Sequence, residues 1–369
     1  MQIIEFFKRQ MQVARIFGIP VRIDNRWFLV LILMSWLTAT NIPNSIVEDT
    51  LTKFAFGLVT TLVFFFSIFL HELGHALVAR WEQLEVREIV LHPFGGLARF
   101  KRPPDNARAE FRIAIAGPAT SFIISLIFLG LTIFSNSFGS NAVAPLLFLL
   151  FFWNLLLAVF NLFPGYPLDG GRVLRAVLWK RGKDLNEATL LTGKAGQIIG
   201  VGLIVIGLII ALFRGDFFTG LWTVVVGIFL FDAAKGIIKE IGRLEETRVA
   251  EVMSPPFSIL PSDNILHFID NILPIRRQTT FLVAQDRQFY GVLTLEDLKN
   301  LEKSEWHKTK VQDVMRPITA EYFVEADGLL SDAKEVMRGN GIGAVGVVDE
   351  EGNLVGLLQR GKIRRAIEK

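Results

Sequence analysis

The sequence predicts a polytopic α-helical membrane domain of about six transmembrane helices, with a short β-hairpin between two of them, followed by an α/β tandem of two similar modules. Three observations predict it. Of 369 residues, 51% are hydrophobic and 32 are Phe, which is too apolar for an ordinary soluble chain of this length. Apolar residues crowd the chain before residue 240, whereas charged residues spread evenly through the remainder. Finally, Val252-Met253-Ser254-Pro255 returns as Val314-Met315-Arg316-Pro317, a repeat at a period of about sixty residues. The expected division is a membrane domain over 1–244 and two modules over 245–305 and 306–369.

Six apolar runs are read, at Trp27 to Thr40, Phe54 to Arg80, Ile113 to Phe134, Val143 to Phe163, Ile198 to Phe213 and Phe217 to Phe231. The first, fifth and sixth are short for spans. The last two are open to a re-entrant hairpin or to full crossings, and Gly196, Gly200, Gly202 and Gly207 suit close helix packing in lipid. Lys8, Arg9, Arg15, Arg22 and Arg26 precede the first run, and Arg87, Arg99, Lys101, Arg102 and Arg108 follow the second. Arg172, Arg175, Lys180, Arg181, Lys183 and Lys194 follow the fourth, while the other connections offer only Lys53 and Arg214. That asymmetry puts both termini in the cytosol and makes the chain a multi-pass protein, expected in a bacterial cell membrane. Met1 to Arg26 holds no short apolar run ending in small residues, so no removable signal peptide is expected. Between the second and third runs, Glu85 to Arg102 alternates around Gly95 and Gly96 as a β-hairpin would, with a solvated loop as the alternative.

The chain has no Cys, so a metal must be held by His and carboxylates. The net charge of +3 comes without any basic run interleaved with aromatics, and no nucleic-acid partner is expected. Near the end of the second run stands His71-Glu72-Leu73-Gly74-His75. On a helix, this HExxH spacing puts both imidazoles on one face, one turn apart. Glu72, beside the first imidazole, is placed to take a proton from water and pass it to a leaving amine. Burying such groups in a lipid span is costly unless they are paired or hold a cation, so they are read as functional. Catalytic zinc usually takes three protein ligands, which calls for one more His, Asp or Glu at the same depth. The fourth run also ends at the cytosolic side, and Asn161-Leu162-Phe163-Pro164-Gly165-Tyr166-Pro167-Leu168-Asp169-Gly170-Gly171-Arg172 follows it, with Asp169 opening a new helix through Trp179.

HELGH on a span together with N-L-F-P-G-Y-P-L-D-G-G resembles the site-2 protease family of intramembrane metalloproteases. The likeness extends over roughly residues 20 to 240 and includes Gly117-Pro118-Ala119-Thr120-Ser121 in the third run and Pro93-Phe94-Gly95-Gly96, similar to a ribbon near the active site of these enzymes. The resemblance implies that His71, His75 and Asp169 bind one Zn2+ and that Glu72 is the general base. It implies hydrolysis of a peptide bond within or near the transmembrane segment of membrane-protein substrates. Asn161 would then orient substrate or stabilise the oxyanion, its alternative being an interhelical hydrogen bond. His92 is read as a hairpin residue and Asn154 as packing. A substrate segment, once unwound, is expected to join the hairpin by strand addition.

In the C-terminal repeat, Phe281-Leu282-Val283 with Gly291-Val292-Leu293, and Ala344-Val345-Gly346-Val347-Val348 with Leu354-Val355-Gly356-Leu357-Leu358, read as strands, with an amphipathic helix expected in each copy. The pattern resembles a tandem CBS pair. That resemblance implies regulation, adenine-nucleotide binding (ATP, ADP or AMP) and a homodimer through these domains. Thr294 and Asp297 match the family's ribose- and phosphate-contacting positions, and helix capping is their alternative role. Gln359 and Lys362 stand at the matching places of the second copy and lack the carboxylate. The rival from another class is a CBS-regulated channel or transporter, whose pathway has no need of HExxH facing a distant L-D-G-G.

Overall fold

The computed structural model describes residues 10–45, 47–92, 95–137, 143–276, 278–299 and 301–368. The chain divides into two compact units, Met1–Ile238 and Lys239–Lys369.

The first unit opens with a hairpin not anticipated above. Strands β1 (Gln10–Ile16) and β2 (Ile19–Asp24) pair antiparallel around Phe17 and Gly18. Both turn residues have positive φ, 50° and 78°, the handedness that matches strand twist in a two-residue hairpin. The expected hairpin forms as β3 (Val86–His92) and β4 (Gly95–Phe100), while Pro93 and Phe94 lie outside the described residues. Strand β2 lies parallel to β3, with Val21 opposite Ile89 and Ile23 opposite Leu91, so the sheet order is β1-β2-β3-β4. One sheet face carries Ile19, Val21, Ile89 and Leu91, and it packs on Trp27, Phe65, Phe69, Leu73 and Ala76. Trp27 opens helix α1 (Trp27–Thr40), and the other four belong to helix α2 (Thr50–Trp81). This contact seats the sheet against the half of α2 that bears HELGH.

Helix α2 starts at Asp49, whose carboxylate accepts from the Thr52 amide, and it runs for 32 residues. Helices α3 (Ala107–Ser137) and α4 (Val143–Asn161) follow, then the short α5 (Asp169–Lys180), α6 (Leu185–Phe213) and α7 (Phe217–Glu246). Among the described residues, α2, α3, α4, α6 and α7 are long and apolar enough to cross a membrane. The fifth and sixth apolar runs lie inside helices of 29 and 30 residues, which makes a re-entrant reading unnecessary. Helix α1 has 14 residues, about 21 Å at the α-helical rise, and stays short for a span. Of the glycines singled out, Gly200 and Gly207 of α6 meet the Gly227 and Gly220 backbone of α7, Gly196 takes up the Tyr166 backbone, and Gly202 faces open space.

In the second unit both copies build a parallel pair that continues into an antiparallel hairpin. The first has β5 (Ser258–Ile259), β6 (Thr280–Gln285) and β7 (Gln288–Thr294), and β8 (Arg316–Pro317) closes its sheet. The second has β9 (Phe323–Glu325), β10 (Ala344–Val348) and β11 (Leu354–Gln359). The expected amphipathic helix is regular in the second copy, α8 (Leu330–Asn340), ahead of the terminal α9 (Arg360–Glu368). In the first copy it is a short α turn, Ile265–His267, that widens over Phe268–Ile272 before Pro274, where a missing amide prevents continuation.

Candidate metal centre

Helix α2 presents His71 and His75 on one face, their ring centroids 4.9 Å apart. From α5, 98 and 94 residues away in sequence, Asp169 Oδ2 lies 3.1 Å from both Nε2 atoms. Ligand atoms of the three residues all fall within 4.8 Å of one another. Both imidazoles are 3% exposed, so bulk solvent does little to satisfy their nitrogens.

The remaining ring nitrogens are held by α3. His75 Nδ1 donates to the Ile113 carbonyl at 2.6 Å, and His71 Nδ1 lies 2.9 Å from Ser121 Oγ. With its proton committed to Ile113, a neutral His75 offers a lone pair at Nε2. It therefore faces a carboxylate oxygen that also has only lone pairs to give, and two acceptors at 3.1 Å call for a cation or a proton between them. Tetrahedral zinc with ligands at about 2.0–2.1 Å separates neighbouring donor atoms by roughly 3.3–3.4 Å, close to the 3.1 Å between Asp169 Oδ2 and each Nε2. Space for an ion is kept by Gly117, where a Cβ would collide with both Nε2 atoms. The donor set and the cradle thus fit a zinc ion.

Three close approaches bring the parts together. A Cβ at Gly74 would run into the Thr120 hydroxyl, so α2 and α3 cross tightly within the motif itself. Gly170 and Gly171 lie against the Leu162 and Gly165 backbone, which lets α5 begin directly under the end of α4. Glu72 sits under the edge strand: its Oε2 accepts from the Ala98 amide at 3.0 Å, and Gly96 leaves room for its side chain. That amide is thereby withdrawn from any added strand, so strand addition at β4 would need other backbone groups.

The other candidates lie apart from this cluster or are otherwise engaged. Asn161 ends α4 and donates to the Leu157 carbonyl of its own helix at 3.0 Å, an intrahelical bond where an interhelical one was the stated alternative. Asn154 is fully buried and bonds back to Leu150, consistent with packing. His92 ends β3 opposite Gly95, and burial holds its imidazole below the ordinary value against the pull of Asp24. Asp297 Oδ2 accepts from both the amide and hydroxyl of Thr294, at 2.9 and 2.7 Å. Its Oδ1 is taken by Arg316, at 2.9 Å from Nε and 2.8 Å from Nη2. Burial alone would raise the Asp297 carboxyl, but the hydrogen bonds from Arg316 and Thr294 hold it below the ordinary carboxylate value. A turn rather than a helix follows Thr294, so the pair caps no helix. Sequence reasoning gave no role to Ser121, Gly117 or the Ala98 amide, and read Gly96 only as part of the hairpin's glycine pair.

The sequence profile of peptidase family M50 matches residues 59–141 and 132–207, and that of the CBS domain matches residues 311–369. A Synechocystis protein provisionally named zinc metalloprotease sll0528 is 31% identical over 99% of this chain and 97% of its own. Zinc metalloprotease MJ0392 of Methanocaldococcus jannaschii is 29% identical over 96% of this chain and 95% of its own. The solved site-2 protease from Methanocaldococcus jannaschii aligns with 62% of this chain and 95% of its own, at 29% identity and a TM-score of 0.45. With an HExxH helix, a distant aspartate and full-length similarity to such relatives, the chain belongs to peptidase family M50, the site-2 protease type of membrane metalloprotease, and carries a CBS domain at its C-terminal end.

Proposed function

We propose that this protein is an intramembrane zinc endopeptidase that hydrolyses a peptide bond within or near a transmembrane segment of its membrane-protein substrates. The observation that carries the reading is the meeting of His71, His75 and Asp169 within 4.8 Å, in a pocket that Gly117 keeps open. These three residues would hold the ion. Zinc bound there supplies Lewis acidity, which polarises a scissile carbonyl and acidifies water.

The chain's own groups do the rest. Glu72 accepts a proton as the water oxygen bonds to the carbonyl carbon, then returns it to the nitrogen as the C–N bond breaks. The Ala98 amide fixes Oε2 and so aims the carboxylate before substrate arrives. Ser121 and Ile113 keep the imidazoles in the orientation that presents Nε2. A role for Asn161 toward substrate rests on the family resemblance alone. The proposed topology keeps both termini in the cytosol, with the centre opening to that side.

For the second unit we propose regulation of access to the protease. Adenine-nucleotide binding at Thr294 and Asp297 would require Arg316 to give up its carboxylate partner, so any affinity there is weak. Calorimetry on the full chain with ATP, ADP and AMP tests this, and a flat trace with all three contradicts it. A channel or transporter has no use for a general base under a strand amide beside such a cluster, and no feature of the site favours that reading.

The proposal is tested with purified full-length protein and its Glu72→Gln variant. Both are expected to hold near-stoichiometric zinc, and the variant is expected to lose cleavage by on the order of 10²- to 10⁴-fold. Substrates trapped by the variant and identified by mass spectrometry supply the assay. Full cleavage by Glu72→Gln would remove the base from the mechanism.

A further inference from the structure

Glu110 lies in the first turn of α3, is 2% exposed, and has no part in the chemistry above. Its Oε1 accepts from Arg175 Nη2 at 2.6 Å and from Arg172 Nε at 3.3 Å, and both arginines project from α5. The Arg172 guanidinium also lies 5.9 Å from the centroid of Phe100, at the end of β4. We propose that Glu110 is a positioning residue of the metal centre, fixing α5 through Arg172 and Arg175 so that Asp169 meets the two imidazoles. The inference rests on the zinc reading and extends it to a residue outside the ligand set.

Three considerations carry it. First, a buried carboxylate shared by two guanidiniums is a poor source of stability, because desolvating the charges offsets much of their attraction; what such a cluster supplies is geometry. Second, α5 needs an external reference. It is 12 residues long, it follows a turn containing Pro164, Gly165 and Pro167, and its N-cap Leu168 makes no side-chain cap. Its contacts at Gly170 and Gly171 set how closely it approaches the preceding turn, but backbone packing of glycines resists rotation about the helix axis poorly. Arg172 and Arg175, one and two turns beyond Asp169, fasten it at two further levels. Third, the anchor lies on the helix that orients the other ligands. Glu110, Ile113, Gly117 and Ser121 follow one another at helical spacing along a stripe of α3. Ile113 and Ser121 hold the imidazoles, Gly117 clears the pocket, and Glu110 ties down the helix of the third ligand, so α3 serves as a common frame for all three.

The test uses the full-length protein in detergent, with zinc affinity read by chelator competition and ligand geometry by the absorption bands of the cobalt-substituted form. Glu110→Gln is expected to weaken zinc binding by about tenfold, the lower end of the range for a group bonded to a ligand itself because Glu110 acts one step further out, and to alter the cobalt bands. Leu150→Ala, in the buried part of α4, is the control for lost stability; it lowers the melting temperature while its zinc affinity stays within about twofold of wild type, as expected of an independent site. Arg175→Gln leaves Glu110 paired with Arg172, and this milder change is expected to fall between wild type and Glu110→Gln. It carries the test if Glu110→Gln fails to fold. Wild-type affinity and cobalt bands in the folded Glu110 variant, or in both Arg172→Gln and Arg175→Gln, overturn the inference. So does a loss of affinity in Leu150→Ala that matches its loss of stability. If wild-type protein itself holds no zinc, the zinc reading fails and this inference with it, whereas wild-type binding in the variants removes the inference alone.

Discussion

Ser121 is fully buried and its hydroxyl meets His71 Nδ1, so truncation leaves a ring nitrogen with no partner in a dry site. Ser121→Ala is therefore expected to reduce zinc affinity by about 10- to 100-fold, measured by chelator competition, while Glu72 chemistry persists at saturating zinc. Unchanged affinity would mean that the hydroxyl does not orient the ring. At this scale the ligands themselves were legible: HELGH specifies its own geometry once it lies on a helix, and L-D-G-G announces a carboxylate at a helix start. Their supports were not. The Ile113 carbonyl and Ala98 amide are backbone groups with no residue type to mark them, and a serine contacting a ring 50 residues away reads in sequence like any small residue of a span.

Strand β4 pairs with β3 and, among the described residues, with no other strand. Its Ala98 amide points to Glu72 instead of into the ladder, which permits a selective change. Proline at an edge position whose N–H is not used by the sheet is tolerated, so Ala98→Pro should keep the sheet and the zinc while leaving Glu72 unanchored. Cleavage is expected to fall by about tenfold or more, against little change for Ala98→Gly, with kcat compared at equal zinc content. Equal rates in both variants would assign the amide a structural part only. The β3–β4 hairpin was legible because Ile89 and Leu91 alternate ahead of the Gly95-Gly96 pair, which the structure places at the start of β4 and not in the turn itself. The β1–β2 hairpin was equally written, in Val21 and Ile23 beyond Phe17-Gly18, but its arginines were read only as markers of topology. Helices α6 and α7 exceed their apolar runs because polar turns, such as Leu185–Gln197, extend a helix that hydropathy alone cuts short.

Across the whole molecule the two units answer to different chemistry. The second holds the Asp297–Arg316 pair, whose carboxyl lies below its ordinary value of about 3.8 in the folded state. The folded form thus binds that proton less readily than the unfolded one. The pair's contribution is complete above the ordinary value and is lost as pH falls through the lowered folded value. Calorimetry on the full chain should show a melting deficit in Asp297→Asn that is constant near neutral pH and shrinks below about pH 4; a deficit independent of pH would deny the carboxylate its role. The repeat and the change in composition near residue 240 made this division readable, whereas Arg316 pairing with Asp297 joins two parts of the repeat that spacing alone could not bring together. In the first unit everything depends on α2 and α5 supplying one ion from opposite ends of the catalytic sequence. X-ray absorption at the zinc edge of the purified protein tests that most directly. Two imidazole nitrogens and a carboxylate oxygen at about 2.0–2.1 Å are predicted, with the carboxylate contribution lost in Asp169→Ala. A zinc-free protein, or a spectrum identical in wild type and Asp169→Ala, would contradict it.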